Sequence, residues 1–369
     1  MLSILFYFFI GVITIQFGYY ILVFGRFSFS KKNQKSVKKE IPISVIVCAK
    51  NEQENVVKYI PLLAEQQYTN FEIVLIDDAS RDDTLEVFEE FEKKYNNIKL
   101  VKVENNEAFW GNKKFALTLG IKAATKPNLL FIDADCYPIS KDWITEMSQC
   151  FDDEKTIILG YGAYEKIDNS FLNKLIRFET LLTATQYFSW AKIGRPYMGI
   201  GRNLGYKTAE FYAANGFINH MKIRSGDDDL FINSVSNKAN TAICSDMDSF
   251  TYSVPKTTFL EWFAQKRRHV STARYYKFFD KFQLSIFFIT QIAFVLLSTI
   301  LLIYQFEWQI VIGVIGFRYF FTWLSLGFSA SKLQEKDVMY YYPFLEIILI
   351  CTQLNVFFTN MFSKPVHWR

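Results

Sequence analysis

The stretch Leu129-Leu130-Phe131-Ile132-Asp133-Ala134-Asp135 decides the fold class of this chain. Its four apolar residues suit a strand buried on both faces of a parallel sheet. The two carboxylates that follow are two positions apart, so in extended chain both project to the same side. Ligands of open α/β sheets bind just beyond the carboxyl ends of the strands, where this pair lies. Convergent carboxylates repel unless a cation neutralises them. A divalent ion bridging to a diphosphate does so, because hard cations take oxygen ligands.

Outward from this stretch the pattern alternates. Residues 43–48 are a β-branched run, followed by Lys50-Asn51-Glu52 and an amphipathic segment to Glu65. A second strand, 71–76, ends in Asp77-Asp78-Ala79-Ser80. Ser80 followed by Asp83 resembles a capping box and predicts a helix through about Tyr95. A third strand at 98–103 and a helix at 111–124 precede the 129–132 strand. Strands alternating with helices argue for a mostly parallel, Rossmann-like sheet with right-handed crossovers. Further on, the sequence predicts a strand at 157–162, a helix at 171–190 and a glycine-rich loop entering a strand at 199–206. An acidic turn then opens a helix at 225–231, and a last strand covers 241–245. Residues 257–279 set Phe259, Trp262, Phe263 and Val270 against Lys266, Arg267 and Arg268, which suits a helix at a membrane surface.

The 38 Phe and 21 Tyr are a heavy load for a water-soluble protein. Residues 2–24 are almost free of charge and span about 23 residues, enough for a bilayer; 284–304 and 308–328 read the same way. The stretch 340–362 is long enough but carries Glu346, Gln353, Asn355 and Asn360, leaving a span with a polar face or a helix lying in the interface. The N-terminal run lacks a basic start and a small-residue cleavage site, so it reads as an anchor rather than a signal peptide. Lys31, Lys32, Lys35, Lys38 and Lys39 follow it and orient the chain with 41–281 on the cytoplasmic side of the cell membrane. The resulting division is an N-terminal span (1–25), a basic linker (26–40), an α/β catalytic unit (41–250), an interface-helix region (251–281) and a membrane region of two or three spans (282–369). A net charge of +4 requires no nucleic-acid partner, since a basic segment near anionic lipid accounts for it. The five cysteines and three histidines form no zinc spacing. Cys136 beside Asp135 reads as a small packing residue before it reads as a nucleophile.

Four features now combine: CAKNE after the first strand, IDDAS after the second, DAD after the fourth and SGDDDL in a later turn. With GNKKFAL and QKRRH, the segment from Ile41 to Arg274 resembles the family 2 glycosyltransferases. These are inverting enzymes of the GT-A fold, and the membrane-bound branch with ceramide glucosyltransferases and cellulose, chitin and hyaluronan synthases is the nearest in pattern. The resemblance implies an enzyme taking a nucleotide sugar, UDP-linked, to a lipid or membrane-associated acceptor; the alternative is a processive polysaccharide synthase that also exports its polymer. It implies that the loop around Glu52 walls the nucleotide and that Asp78, alone or with Asp77, accepts hydrogen bonds from the base. Lys113 is expected at phosphate, Asp133 at the nucleotide sugar, and Asp135 with Asp133 at Mg²⁺ or Mn²⁺. Asp228 is the expected general base, with Asp227 second. Gln265 and Arg268 match a Gln-x-x-Arg-Trp motif in which His269 replaces the tryptophan, and Arg268 is expected to clamp the diphosphate. Gly199 and Gly201 are expected to line the acceptor side together with His269. The plain readings are a solvated surface lysine for Lys113, a helix cap for Asp77 and Asp78, and contact with lipid headgroups for Lys266 and Arg267.

The lysine asymmetry generates a test of orientation. A cysteine placed at Gln305 is expected to be labelled from outside the cell and one at Lys336 is not; the reverse pattern would overturn the orientation.

Overall fold

Ten strands and the helices around them are described in the computed structural model, which covers residues 1–31, 40–104, 113–223 and 225–363. The strands are β1 (Ile43–Ala49), β2 (Phe71–Asp77), β3 (Ile98–Lys102), β4 (Asn128–Phe131), β5 (Cys136–Pro138), β6 (Ile157–Leu159), β7 (Gly162–Tyr164), β8 (Leu204–Lys207), β9 (Thr241–Ile243) and β10 (Thr251–Ser253). Seven of them form a sheet in the order β3-β2-β1-β4-β8-β6-β9. The pairs β1–β2, β2–β3, β1–β4 and β6–β9 are parallel, while β8 runs antiparallel to both its neighbours. The chain leaves β1 toward β2 and β3, then returns to its other side with β4. That reversal opens a crevice at the carboxyl ends of β1 and β4, the expected place for a ligand.

Helices cover both faces of the sheet: α1 (Leu2–Phe17), α2 (Gly25–Ser28), α3 (Gln53–Ala64), α4 (Thr84–Lys94), α5 (Lys113–Ala123), α6 (Trp143–Ser148), α7 (Phe171–Ile193), α8 (Thr208–Ala213), α9 (Asp229–Val235), α10 (Phe259–Val270), α11 (Phe278–Ile303), α12 (Trp308–Lys332) and α13 (Tyr342–Phe362) come in that order. Alternate residues of β1 go to opposite faces, as a pleated strand requires. Val45 and Val47 pack with Val56, Ile60 and Phe88, whereas Ile46 and Cys48 pack with Ala116, Leu117 and Ile121. The second of these cores continues through α7 to Phe321, Leu345 and Leu349 of the C-terminal helices, so sheet and helical bundle share one apolar interior.

The segments Leu2–Ser28, Phe278–Ile303, Trp308–Lys332 and Lys336–Phe362 are long and apolar enough to cross a membrane. The fourth turns Glu346 inward to Arg318 and sets Asn360 against α10, where it accepts a hydrogen bond from Arg267, while Asn355 is exposed. Arg318 is fully buried and donates to Glu346 of α13, Gln16 of α1 and Gln291 of α11. One guanidinium therefore ties four helices together, and charged groups at such depth persist when paired in this way.

Several elements differ from their predicted forms. The helix after β2 starts at Thr84 rather than Ser80, because Asp82 accepts from the Thr84 amide and hydroxyl while Ser80 Oγ accepts from the Asn51 amide. The predicted strand 157–162 is two strands in different sheets. Gly160 breaks it where a Cβ would collide with the Asn203 side chain at 2.5 Å. The amphipathic helix predicted over 257–279 stops at Val270, since the Thr272 and Tyr276 hydroxyls are both drawn to Asp229. The apolar helix then starts at Phe278 instead of 284. The small sheet β5-β10-β7 was not expected at all. Lys32, Lys35, Lys38 and Lys39, and the Gly111-Asn112 start of GNKKFAL, lie outside the described residues.

Breaking the buried pair with Arg318→Met or Glu346→Leu strands a charge and is expected to cost roughly 3–5 kcal/mol, while the double variant recovers most of it. Thermal unfolding of the purified protein in detergent, compared across the three variants, checks this.

Candidate active site

A cavity of about 420 Å³ lies beyond the carboxyl ends of β1 and β4. Glu52, Lys113, Asp133, Asp135, Asp227, Asp228, Gln265, Arg268, Gly201 and His269 all line it, so ten positions singled out in the sequence are brought together. Asp77, Asp78 and Gly199 do not line it. Gly199 is a packing position, where a Cβ would lie 2.8 Å from Leu204. Asp77 accepts from the Ser80 amide at 3.3 Å and so shapes the turn after β2. Asp78 is buried with Lys50 3.6 Å from its Oδ2, and that oxygen has no hydrogen-bond partner among the described residues. An unused, buried acceptor beside a strand end is suited to an N–H group of a ligand.

The DAD carboxylates sit on the short connection from β4 to β5. Asp133, Asp135 and Cys136 bring their ligand atoms within 4.8 Å of one another. Burial alone would raise Asp133, but Lys113 beside it, with Arg202 and Arg268, holds its carboxyl below the usual range. Burial raises Asp135, and neighbouring Asp133 adds to the effect. Cys136 is buried and donates to Asp135 Oδ1 at 3.3 Å; burial and then Asp135 push its thiol far up, so it stays protonated. That favours its packing role. Lys113 is not a solvated surface lysine: it bridges Asp133 at 2.7 Å and Asp227 at 3.4 Å. Burial opposes its charge, yet the two carboxylates outweigh burial and raise it.

The acidic turn Asp227-Asp228-Asp229 gives its three carboxylates three environments. Gly226 precedes them at φ +89°, a left-handed conformation that glycine alone adopts without strain. Asp227 faces Lys113. Asp228 caps α9, accepting from the Gly201 amide and the Asp229 amide at 2.7 Å each. Burial, followed by Asp227 and Asp229, pushes its carboxyl up to about 8. Asp229 is buried and accepts from Thr272 and Tyr276, tethering the turn to the segment ahead of α11. Behind them Lys114, only 1% exposed, donates to the carbonyls of His220, Ile223 and Ser225 and fixes the approach to the turn.

The far wall comes from α7, α10, α11 and α13. Glu179, Thr183 and Gln186 of α7 face the cavity, as do Leu284 of α11 and Gln353 of α13. Lys266 pairs with Glu179, and Arg267 donates to Asn360 and Ser363, so both lysine and arginine have protein partners in place of headgroups. Arg268 makes no ion pair among the described residues and is left facing the cavity. Gln265 donates weakly to Tyr164 while its Oε1 is buried without a partner among the described residues. His269 reaches the cavity beside Lys266 and Arg268. Arg202 was missed by the sequence reading. Its guanidinium stacks 4.3 Å from the Tyr164 ring and donates to Ala163 O and Ser253 Oγ, beside the DAD pair. Its position in the MGIGRNL loop was the only available signal, because its partners lie on β7 and β10. Lys256, also in the wall, follows the unpredicted β10.

Chemically, the cavity offers an open pair of hard oxygen ligands, cations on two sides, and a carboxyl able to exchange a proton near neutral pH. The family model for Glycosyl transferase family 2 matches residues 44–223. A poly(ribitol-phosphate) β-N-acetylglucosaminyltransferase of Staphylococcus aureus is 30% identical over 118 residues, 31% of this chain and 20% of that protein. A dolichyl N-acetyl-α-D-glucosaminyl phosphate glucuronosyltransferase of Methanococcus voltae is 29% identical over 160 residues, 41% of this chain and 49% of that protein. The chain thus spans about a fifth to a half of the curated relatives it matches. A mannosyltransferase from Pyrobaculum calidifontis, solved with GDP-Man and Mn²⁺, superposes with a TM-score of 0.58 at 15% identity. That likeness covers 98% of this chain and 99% of the other, and it shows the fold.

The tether at Asp229 is open to measurement. Tyr276→Phe removes one donor and is expected to cost about 1 kcal/mol, whereas Asp229→Ala orphans the buried Tyr276 hydroxyl, with Thr272 keeping the His269 carbonyl, and is expected to cost roughly 2–3 kcal/mol. Denaturant unfolding of each variant checks the order.

Proposed function

We propose that this chain, a family 2 glycosyltransferase that uses nucleotide sugars, inverts the anomeric carbon of a UDP-linked donor and delivers the sugar to a hydroxyl of a lipid or membrane-associated acceptor on the cytoplasmic face. The observation that carries this reading is that one cavity is walled on one side by the DAD pair and on the other by Leu284 and Gln353 of two apolar helices. In that cavity a donor at the carboxylates and an amphiphilic acceptor held by the helices come within reach of each other.

Asp135 and Asp133 would hold Mg²⁺ or Mn²⁺. The fit rests on the donor set: two clustered carboxylates lining the cavity are hard oxygen ligands, while the third neighbour, Cys136, is a protonated thiol that competes poorly. Such an ion supplies neutralisation of the donor diphosphate. The protein's own residues do the rest. Asp78 Oδ2 accepts the N–H of the base, as an imide such as uracil provides. Lys113 exchanges its carboxylate partners for phosphate oxygens. Asp228 removes the proton of the acceptor hydroxyl as its oxygen bonds to the anomeric carbon. The bond from that carbon to the diphosphate breaks, and Arg268 donates to the departing nucleoside diphosphate. A carboxyl with its pKa near the working pH suits a general base, since it is both available and basic.

Asp228→Asn is therefore expected to keep nucleotide affinity while turnover falls roughly 10²–10⁴-fold. The base must be deprotonated, so log rate is expected to climb with pH and level off above about 8. Asp227→Asn removes a like charge and moves that limb to lower pH. Excess EDTA is expected to abolish turnover. Loss of nucleotide binding in Asp228→Asn, or full activity in EDTA, would defeat these assignments.

A further inference from the structure

A second chamber, of about 280 Å³, adjoins the first among α7, α10, α11 and α13. The two share Glu179, Gln186, Lys266, Val270, Leu284 and Gln353 as common walls, so only side chains separate them. Beyond these residues the lining turns mostly apolar, with Phe178 and Leu182 of α7, Phe287 and Phe288 of α11, and Leu349 and Val356 of α13; of its polar members, Gln291 and Glu346 are engaged by Arg318. Trp262 also lines it; the residue is fully buried and its indole N–H has no hydrogen-bond partner among the described residues. A buried donor without a partner calls for one. We infer that this chamber is the acceptor's hydrocarbon site: a single apolar chain enters between the bundle helices, and the Trp262 N–H meets an oxygen near the start of that chain. The inference rests on the proposed lipid acceptor and adds where its chain lies.

The chemistry of the two chambers divides the acceptor. The catalytic cavity is dense in charge and suits a polar head whose hydroxyl reaches Asp228. The Glu179–Lys266 pair marks the border, and past it most of the wall is aliphatic and aromatic, part of it from α11 and α13, which are long and apolar enough to cross a membrane. A hydrocarbon chain loses water on entering such a chamber, while a sugar or peptide would lose hydrogen bonds.

The test uses the full-length protein in phosphatidylcholine nanodiscs with a nucleotide sugar and ethanol, octanol or hexadecanol as acceptor. Wild type is expected to show KM falling by roughly ten-fold or more from the short to the longer alcohols, since each added CH₂ is buried. Leu349→Trp fills the chamber and is expected to flatten that dependence. Release of nucleoside diphosphate to water is expected to stay unchanged. Alcohols glycosylated without chain-length dependence, or a dependence that survives in Leu349→Trp, would overturn the chamber. Donor turnover with no lipid or alcohol glycosylated would instead sink the lipid-acceptor reading. Should Leu349→Trp fail to fold, a hexadecanol bearing a terminal diazirine decides. Crosslinks at Trp262, Phe287 or Leu349 support the site, and crosslinks only at the outward-facing Leu296, Phe344 or Phe358 overturn it.

Discussion

Carboxylate crowding around one cavity is the constraint to which much of this structure answers. Asp133, Asp135, Asp227, Asp228 and Asp229 approach the same space, and like charges so close cannot all stay ionised without compensation. Each is compensated differently. Lys113 serves Asp133 and Asp227 together, two backbone amides serve Asp228, and two hydroxyls serve Asp229. Asp135 alone among the five has no cation, amide or hydroxyl partner among the described residues, only a protonated thiol beside it. The arrangement is thus one positive charge short, on the side where an ion and a diphosphate would enter on the proposed reading.

Holding these groups in register falls to elements far apart in sequence. The helix α7 lies between the sheet and the C-terminal helices, contacting β7 and β9 on one side and α12 and α13 on another. Ser170 caps its start by accepting from the Asn173 amide, and Gly194 ends it at φ +92°. Its buried Arg177 donates to Glu335 and Asp337 in the loop between α12 and α13, which fixes the bundle to the sheet. Two residues further, Glu179 holds Lys266 of α10. The cavity wall therefore cannot drift away from the DAD pair without breaking ion pairs, some of them buried, that are costly to leave half-made.

Local pattern carried the sequence reading a long way. The strands β1 to β4 and the ends that bear Glu52, Asp133 and Asp135 were legible because a fully buried parallel strand leaves an apolar run with chemistry at its carboxyl end. The acidic turn was legible as a turn, but its division of labour was not: Asp229 is structural only because Thr272 and Tyr276, more than forty residues on, reach back to it. Arg202 was hidden for the same reason. Its stacking partner Tyr164 and its acceptor Ser253 come from strands of three residues, too short to announce themselves by alternation. Arg318 passed unnoticed within an apolar stretch, since its acceptors sit on three other helices.

The histidine at 269 gains its meaning from these tertiary facts. In the membrane-bound relatives that the QKRRH motif resembles, a tryptophan stands there and supplies a broad ring for the acceptor. Here the ring is smaller and shares the cavity wall with Lys266 and Arg268. The next residue, Val270, belongs to both chambers. A narrower ring at the border gives up stacking surface and leaves more of the passage walled by aliphatic side chains. On the proposed reading, the hold on the acceptor shifts from its sugar face to its chain, which favours an acceptor that is a lipid at every round over a growing polymer that must slide past a stacking ring.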